Sequence, residues 1–245
     1  MTIAGIEIEL VRKRIKNVNL RIYAPEGRVR VSAPHRTSET FIADFVSAKA
    51  PWIRKQQARI AALPPTPELS YTDGEEHVFL GQSHTLVLHK ATGRPSVTFD
   101  STDSTDSADS TDSTDSTARV IHIHARDPQD AQAVERLLKR AYRSELQRLL
   151  DAYIPRWEEQ LGVRSTNIRI RSMKRKWGAC RPRTADIVFN LELIKHPTIC
   201  TDYVVLHELT HLLEGSHNAR FQAILTQHMP RWREVEGMLN GRTAN

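Results

Sequence analysis

The run His207-Glu208-Leu209-Thr210-His211 has the residue types and the spacing to hold a metal ion and to cut a bond with water. On a helix, positions i and i+4 lie about 40° apart around the axis. Both imidazoles then project from one face and can share a tetrahedral ion. Glu208 stands beside them, where a carboxylate can take a proton from a metal-activated water and return it to a leaving group. Val204, Val205, Leu206, Leu209, Leu212 and Leu213 flank the motif. Unpaired histidines and a glutamate would be costly on so apolar a helix, so a bound metal explains them better than a solvated face does.

A third donor follows directly. Gly215 is expected to take the left-handed conformation that ends a helix, turning the chain so that His217 reaches the pair. His228, inside the next helical segment, is the rival third donor. Three protein ligands leave one position for water, which marks a catalytic rather than a structural zinc. The residues alone therefore imply a Zn2+-dependent hydrolase, with His207, His211 and His217 on the metal and Glu208 as general base.

The elements that must position this motif are read from periodicity. Residues 201–214 are expected to be a helix capped by Thr201 or Asp202, followed by helical segments at 218–227 and 230–240. Val134, Leu138, Leu146, Leu150 and Ile154 recur at helical spacing, predicting a long helix over about 130–160 that ends near Gly162. Strands are expected at 167–172 and at Ile187–Asn190. Before residue 130 the pattern is mostly alternating: a β-meander over 5–34, then strands at 76–80, 83–89, 95–99 and 119–124. A helix over 38–62 interrupts them, with Ser38 as cap, Phe41, Ile42, Phe45, Val46 and Ile53 in its apolar stripe, and Pro51 as a kink or boundary. The fold class is α+β, with a β-rich basic subdomain at 1–129 and the hydrolase subdomain at 130–245.

Residues 100–117 read DSTDSTDSADSTDSTDST, apolar only at Ala108. Such a tract cannot offset its ordering entropy and is expected to be a disordered insertion in a hairpin. It lacks the glycines of a calcium-binding repeat. Its six aspartates mask a basic remainder of 35 Lys and Arg against 23 Asp and Glu, which suits an anionic partner such as nucleotide or nucleic acid, or simply a well-solvated surface. No run of 18 apolar residues and no secretory leader is read, so the expectation is a cytoplasmic protein with no membrane partner. Cys180 and Cys200 are too few for a disulfide framework and form no CxxC pair, so free thiols are expected.

Several stretches carry a resemblance: RKWGAC at 175–180, DIVFNLELI at 186–194, DYVVLHELTHLLEGSHNARF at 202–221 and MPRWREVEGML at 229–239. KNVNLRIYAPEGRVRVSAPHRTS at 16–38 and FVSAKAPWIRKQQARI at 45–60 extend it towards the N-terminus. The chain resembles the YgjP-like metallopeptidase-domain family, related to the SprT-like and WLM zinc proteases. The resemblance implies a gluzincin-like C-terminal subdomain with an H-E-x-x-H-x5-H ligand set on His207, His211 and His217, and a peptide or protein substrate. Where the family usually has Trp-Gly-Ser-Cys, this chain has Trp177-Gly178-Ala179-Cys180. Trp177 and Cys180 are expected to shape the strand beside the cleft, and Trp177, Asn190 and Arg175 to touch substrate.

Two other functions stay open on the sequence. The same site could hydrolyse a phosphoanhydride, as a nucleoside triphosphate pyrophosphatase does, with phosphates held by Arg164, Arg169, Arg171, Lys174, Arg175, Lys176, Arg181 and Arg183. The chain could also be a nucleic-acid-associated module with the metal site as a secondary feature, although an intact Glu208 argues against that.

Overall fold

The structure, a computed structural model, describes residues 1–23, 26–62, 69–100 and 119–241. Apart from Asp100, the tract expected to be disordered lies outside the described residues, as do Pro25 and the prolines at 64–67. The described chain is mixed α+β, with three small sheets and five α-helices. By its contacts it divides into two compact units, Met1–Glu68 and Leu69–Asn245, earlier than the boundary at 129 drawn from composition. Strands from the 76–125 region share one core with the long helix and the HELTH helix.

In the first unit, β1 (Thr2–Ile3), β2 (Ile6–Lys13), β3 (Asn19–Tyr23) and β4 (Arg28–Pro34) form a sheet in the order β1-β2-β4-β3, with β2 and β4 parallel. The expected meander is not formed. Val29, Val31 and Ala33 are fully buried and hold β4 at the centre, and β3, whose apolar residues are half-buried, takes the edge. Helix α1 (Glu39–Ala61) starts where the Ser38 hydroxyl accepts the Phe41 N–H at 3.2 Å. It buries Ile42, Val46, Ala50 and Ile53 against the sheet. It runs through Pro51 without a boundary, and Phe41 of the expected stripe is exposed.

The second unit opens with the same connectivity. β5 (Glu76–Phe79), β6 (Gln82–Lys90), β7 (Ser96–Asp100) and β8 (Val120–Ala125) pair in the order β5-β6-β8-β7, β6 and β8 running parallel. The expected hairpin is present, Val97 opposite Ile123. Helix α2 (Ala131–Leu161) follows, capped by the Asp130 side chain and ended by Gly162 at φ 65°. Its first half lays Val134, Leu138 and Tyr142 on Leu86, Ile121 and Ile123. Ile121 and Ile123 are fully buried, each contributing roughly 1.5–3 kcal/mol.

The second half of α2 is what positions the HELTH segment. Leu146, Leu150, Ile154 and Trp157 pack in the same core as α3 (Thr198–Thr210). Trp157 Nε1 donates to Asp202 Oδ1 at 2.6 Å, and Arg156 pairs with the same carboxylate. Asp202 therefore ties α3 to α2 rather than capping it. α3 starts earlier than expected, at Pro197, with no side-chain cap. A third sheet, in the order β10-β11-β9, is built from β9 (Asn167–Arg171), β10 (Gly178–Arg181) and β11 (Asp186–Asn190). A 3-10 turn at Leu191–Lys195 leads from β11 into α3. Helices α4 (Ala219–His228) and α5 (Trp232–Leu239) close the unit. Among the described residues no helix is long and apolar enough to cross a membrane.

Candidate metal centre

Helix α3 presents His207 and His211 one turn apart, and the turn after it returns His217 to them. His217 Nε2 lies 3.0 Å from His207 Nε2 and 3.1 Å from His211 Nε2. Among the described residues these three are the group of histidine, cysteine or acidic side chains placed to hold a metal ion. The spacing fits: with metal–nitrogen bonds of 2.0–2.1 Å, two ligands of one tetrahedral ion stand about 3.3 Å apart. The route to it differs from expectation. Gly215 does not have a positive φ. α3 ends at Thr210, and the chain turns over His211–Glu214, where Leu213 N and Glu214 N both donate to Thr210 O. His228 is elsewhere, its ring edge-on to Trp157 at 5.9 Å.

The imidazoles are oriented for ligation. His211 Nδ1 donates to Glu214 O at 3.2 Å, leaving the Nε2 lone pair free. His207 Nδ1 lies 3.3 Å from the Tyr203 hydroxyl. Where the Tyr203 oxygen accepts from His207 Nδ1–H, His207 Nε2 is likewise free. Burial, and after it the neighbouring His211 and His217, hold His207 down to about 3, so it is the neutral ring that ligates metals. Burial lowers His211 as well. Phe221 on α4 forms the floor, its ring centroid 4.7–5.0 Å from those of the three histidines.

Glu208 is 5% exposed. Burial pushes its carboxyl up to about 7, against the Cys180 backbone N–H that donates to it and the charge of Lys176. The Cys180 thiol is pushed up to about 11 by burial and by the Glu208 charge. The three histidines and Glu208 open on a cleft of about 390 Å³, walled on one side by β10 and on the other by Tyr203, Val204 and Leu239. The site can hold a divalent cation on three imidazoles with a carboxylate alongside.

The other expected residues are placed as follows. Trp177 lines the cleft and meets His196 edge-on at 4.7 Å. Arg175 lines an adjoining depression with Lys174, Lys176 and Lys195. Asn190 is buried, and both ends of its amide are committed to the chain: Oδ1 accepts Met173 N and Glu192 N, and Nδ2 donates to Met173 O and Lys176 O. It braces the 173–176 loop and lines the adjoining depression with Arg175, not the cleft itself. Tyr203, Phe221 and Gly178 were not singled out from sequence. Tyr203 had a signal, since it stands four residues before His207 and therefore on the same helix face.

No curated protein matches the chain. Two solved structures share a limited likeness. The metallopeptidase zymogen jannalysin of Methanocaldococcus jannaschii is 22% identical, over 38% of this chain and 94% of its own, with a TM-score of 0.34. The metallopeptidase zymogen abylysin of Pyrococcus abyssi is 20% identical, over 41% of this chain and 99% of its own, with a TM-score of 0.34. The family model described as the YgjP-like metallopeptidase domain matches residues 16–242, nearly the whole length, and the chain belongs to that family.

Proposed function

We propose that this chain is a zinc metallopeptidase that hydrolyses peptide bonds, with His207, His211 and His217 as ligands on a gluzincin-like HExxH helix and Glu208 as general base. The observation that carries the proposal is the convergence of three Nε2 atoms in one cleft with a buried carboxylate on the next residue of the helix. Zinc held there would polarise the scissile carbonyl and acidify a water to a pKa of about 7. The chain's own residues do the rest. Glu208 takes the proton of the attacking water and hands it to the departing amine. The Cys180 N–H favours the charged form of that carboxylate. Trp177, Tyr203, Val204 and Leu239 offer an apolar wall to a peptide.

The phosphoanhydride reading has less support. Of the eight basic residues between 164 and 183, Lys176 alone is among the described residues lining the cleft. Arg164 is paired with Glu158 at 2.9 Å, and Arg169, Arg171 and Arg181 line a different depression. The deciding experiment is a panel of casein, short peptides and nucleoside triphosphates, offered to zinc-loaded wild type and Glu208→Gln. Cleavage of casein or peptides by wild type is expected, with a loss of about a hundredfold to ten-thousandfold in the variant at unchanged zinc content. Triphosphate hydrolysis without peptide cleavage would transfer the site to the other chemistry.

A further inference from the structure

Strand β10 approaches Glu208 more closely than a side chain allows. A Cβ added to Gly178 would stand 2.5 Å from Glu208 Oε1, 2.6 Å from its Cγ and 2.7 Å from its Cδ. Real Cβ atoms essentially never come within 3.0 Å of a neighbour. The atoms it would meet belong to a buried side chain with little room to retreat. Gly178 is not a turn glycine, because its φ is not in the left-handed region. Nor is the whole cleft this tight: a Cβ on Gly215, which also lines it, would meet nothing within 4 Å. Two residues along the same strand, the Cys180 backbone N–H faces the same carboxylate and favours its charged form. The absent side chain and the N–H act on one group from one strand.

We propose that Gly178 is a positioning residue: its lack of a side chain leaves the Glu208 carboxylate the space it occupies beside the three histidines. Any larger residue at the start of β10 drives the carboxylate off that station or lifts the strand away. The functional half of this proposal rests on Glu208 being the base; the packing half does not.

The test is a double-mutant cycle on the zinc-loaded full chain: wild type, Gly178→Ala, Glu208→Ala and the double variant. Alone, Gly178→Ala should lower the melting temperature by about 5 °C. Beside Glu208→Ala its methyl enters the vacated space, and the shift should shrink to about 1 °C or less. An equal shift in both backgrounds would overturn the contact. If Gly178→Ala does not fold, recovery of folding in the double variant supports the proposal, and failure of both overturns it. On labelled casein, folded Gly178→Ala should lose about a hundredfold in kcat, with KM and zinc affinity each kept within about threefold of wild type. A wild-type kcat in the folded variant would overturn the positioning role. The two readings fail separately, since a coupled thermal cycle with wild-type turnover in Glu208→Gln removes the base assignment and leaves the contact standing.

Discussion

The Tyr203 hydroxyl lies 3.3 Å from His207 Nδ1, one turn along helix α3 behind the metal-facing ring. Hydrogen bonds behind a ligating histidine fix its tautomer and raise its basicity, and losing one typically costs tenfold to a hundredfold in metal affinity. Tyr203→Phe keeps the ring that stacks on Trp232 at 6.4 Å and removes the hydroxyl alone. Zinc affinity, read by competition with a chromophoric chelator, should fall by about tenfold while the melting temperature of the metal-free protein changes little. Unchanged affinity would mean that the contact does not orient His207.

The third donor separates from its rival by the same titration. His217→Ala should weaken zinc binding by orders of magnitude, because the remaining pair seldom holds the ion. His228→Ala should leave it at wild type, since that ring packs on Trp157. The reverse order would relocate the third ligand.

Glu158 offers a pH test away from the metal. Its carboxylate is 7% exposed and accepts Ser165 N at 2.7 Å, Ser165 Oγ at 2.5 Å and Arg164 Nη1 at 2.9 Å. Burial by itself would raise this carboxyl, but the bonds from Ser165 and Arg164 outweigh it and hold it below the usual carboxylate range. A group lowered on folding stabilises at pH values above its unfolded pKa, about 4.3 for Glu, and loses that contribution as pH falls through its folded value. Glu158→Gln should cost about 2 kcal/mol at pH 7, and its deficit should close as pH drops below about 4. A deficit of constant size from pH 7 to pH 3, in thermal melts of both proteins, would show that ionisation is not the cause.

How far the chain could be read in advance follows from the range of each interaction. The HELTH helix, the Ser38 cap and the Gly162 stop are local, and their spacing or residue type states them. Strand order is not local. β4 displaces β3 from beside β2 because Val29, Val31 and Ala33 bury completely, which depends on what α1 lays over them. The repetition of that connectivity in β5–β8 is likewise a matter of pairing and not of repeated residues. His217 was legible as a third donor, yet the turn that delivers it owes nothing to a left-handed Gly215. Gly178 was the least legible. Its partner lies thirty residues away on another element, and a glycine ahead of an alternating strand looks like a turn.

Asn190 gives the last prediction, in which an isosteric change should be as harmful as a deletion. The side chain makes four hydrogen bonds, accepting two on Oδ1 and donating two from Nδ2 to the carbonyls of Met173 and Lys176. Asn190→Ala removes all four and strands buried polar groups, at about 1–3 kcal/mol for each group left unsatisfied. Asn190→Asp keeps the shape and both acceptor bonds, but turns the two donors into an oxygen facing two carbonyl oxygens. If the amide's task is to brace the loop, Asp should cost at least as much as Ala, and each should exceed about 2 kcal/mol. If the residue served substrate contact instead, both variants would melt near wild type and only KM would rise. The braced segment carries Lys174, Arg175 and Lys176, so loosening it exposes three adjacent trypsin sites. Limited trypsin digestion should clip both variants there well before wild type. Identical digestion patterns for all three proteins would remove the bracing role.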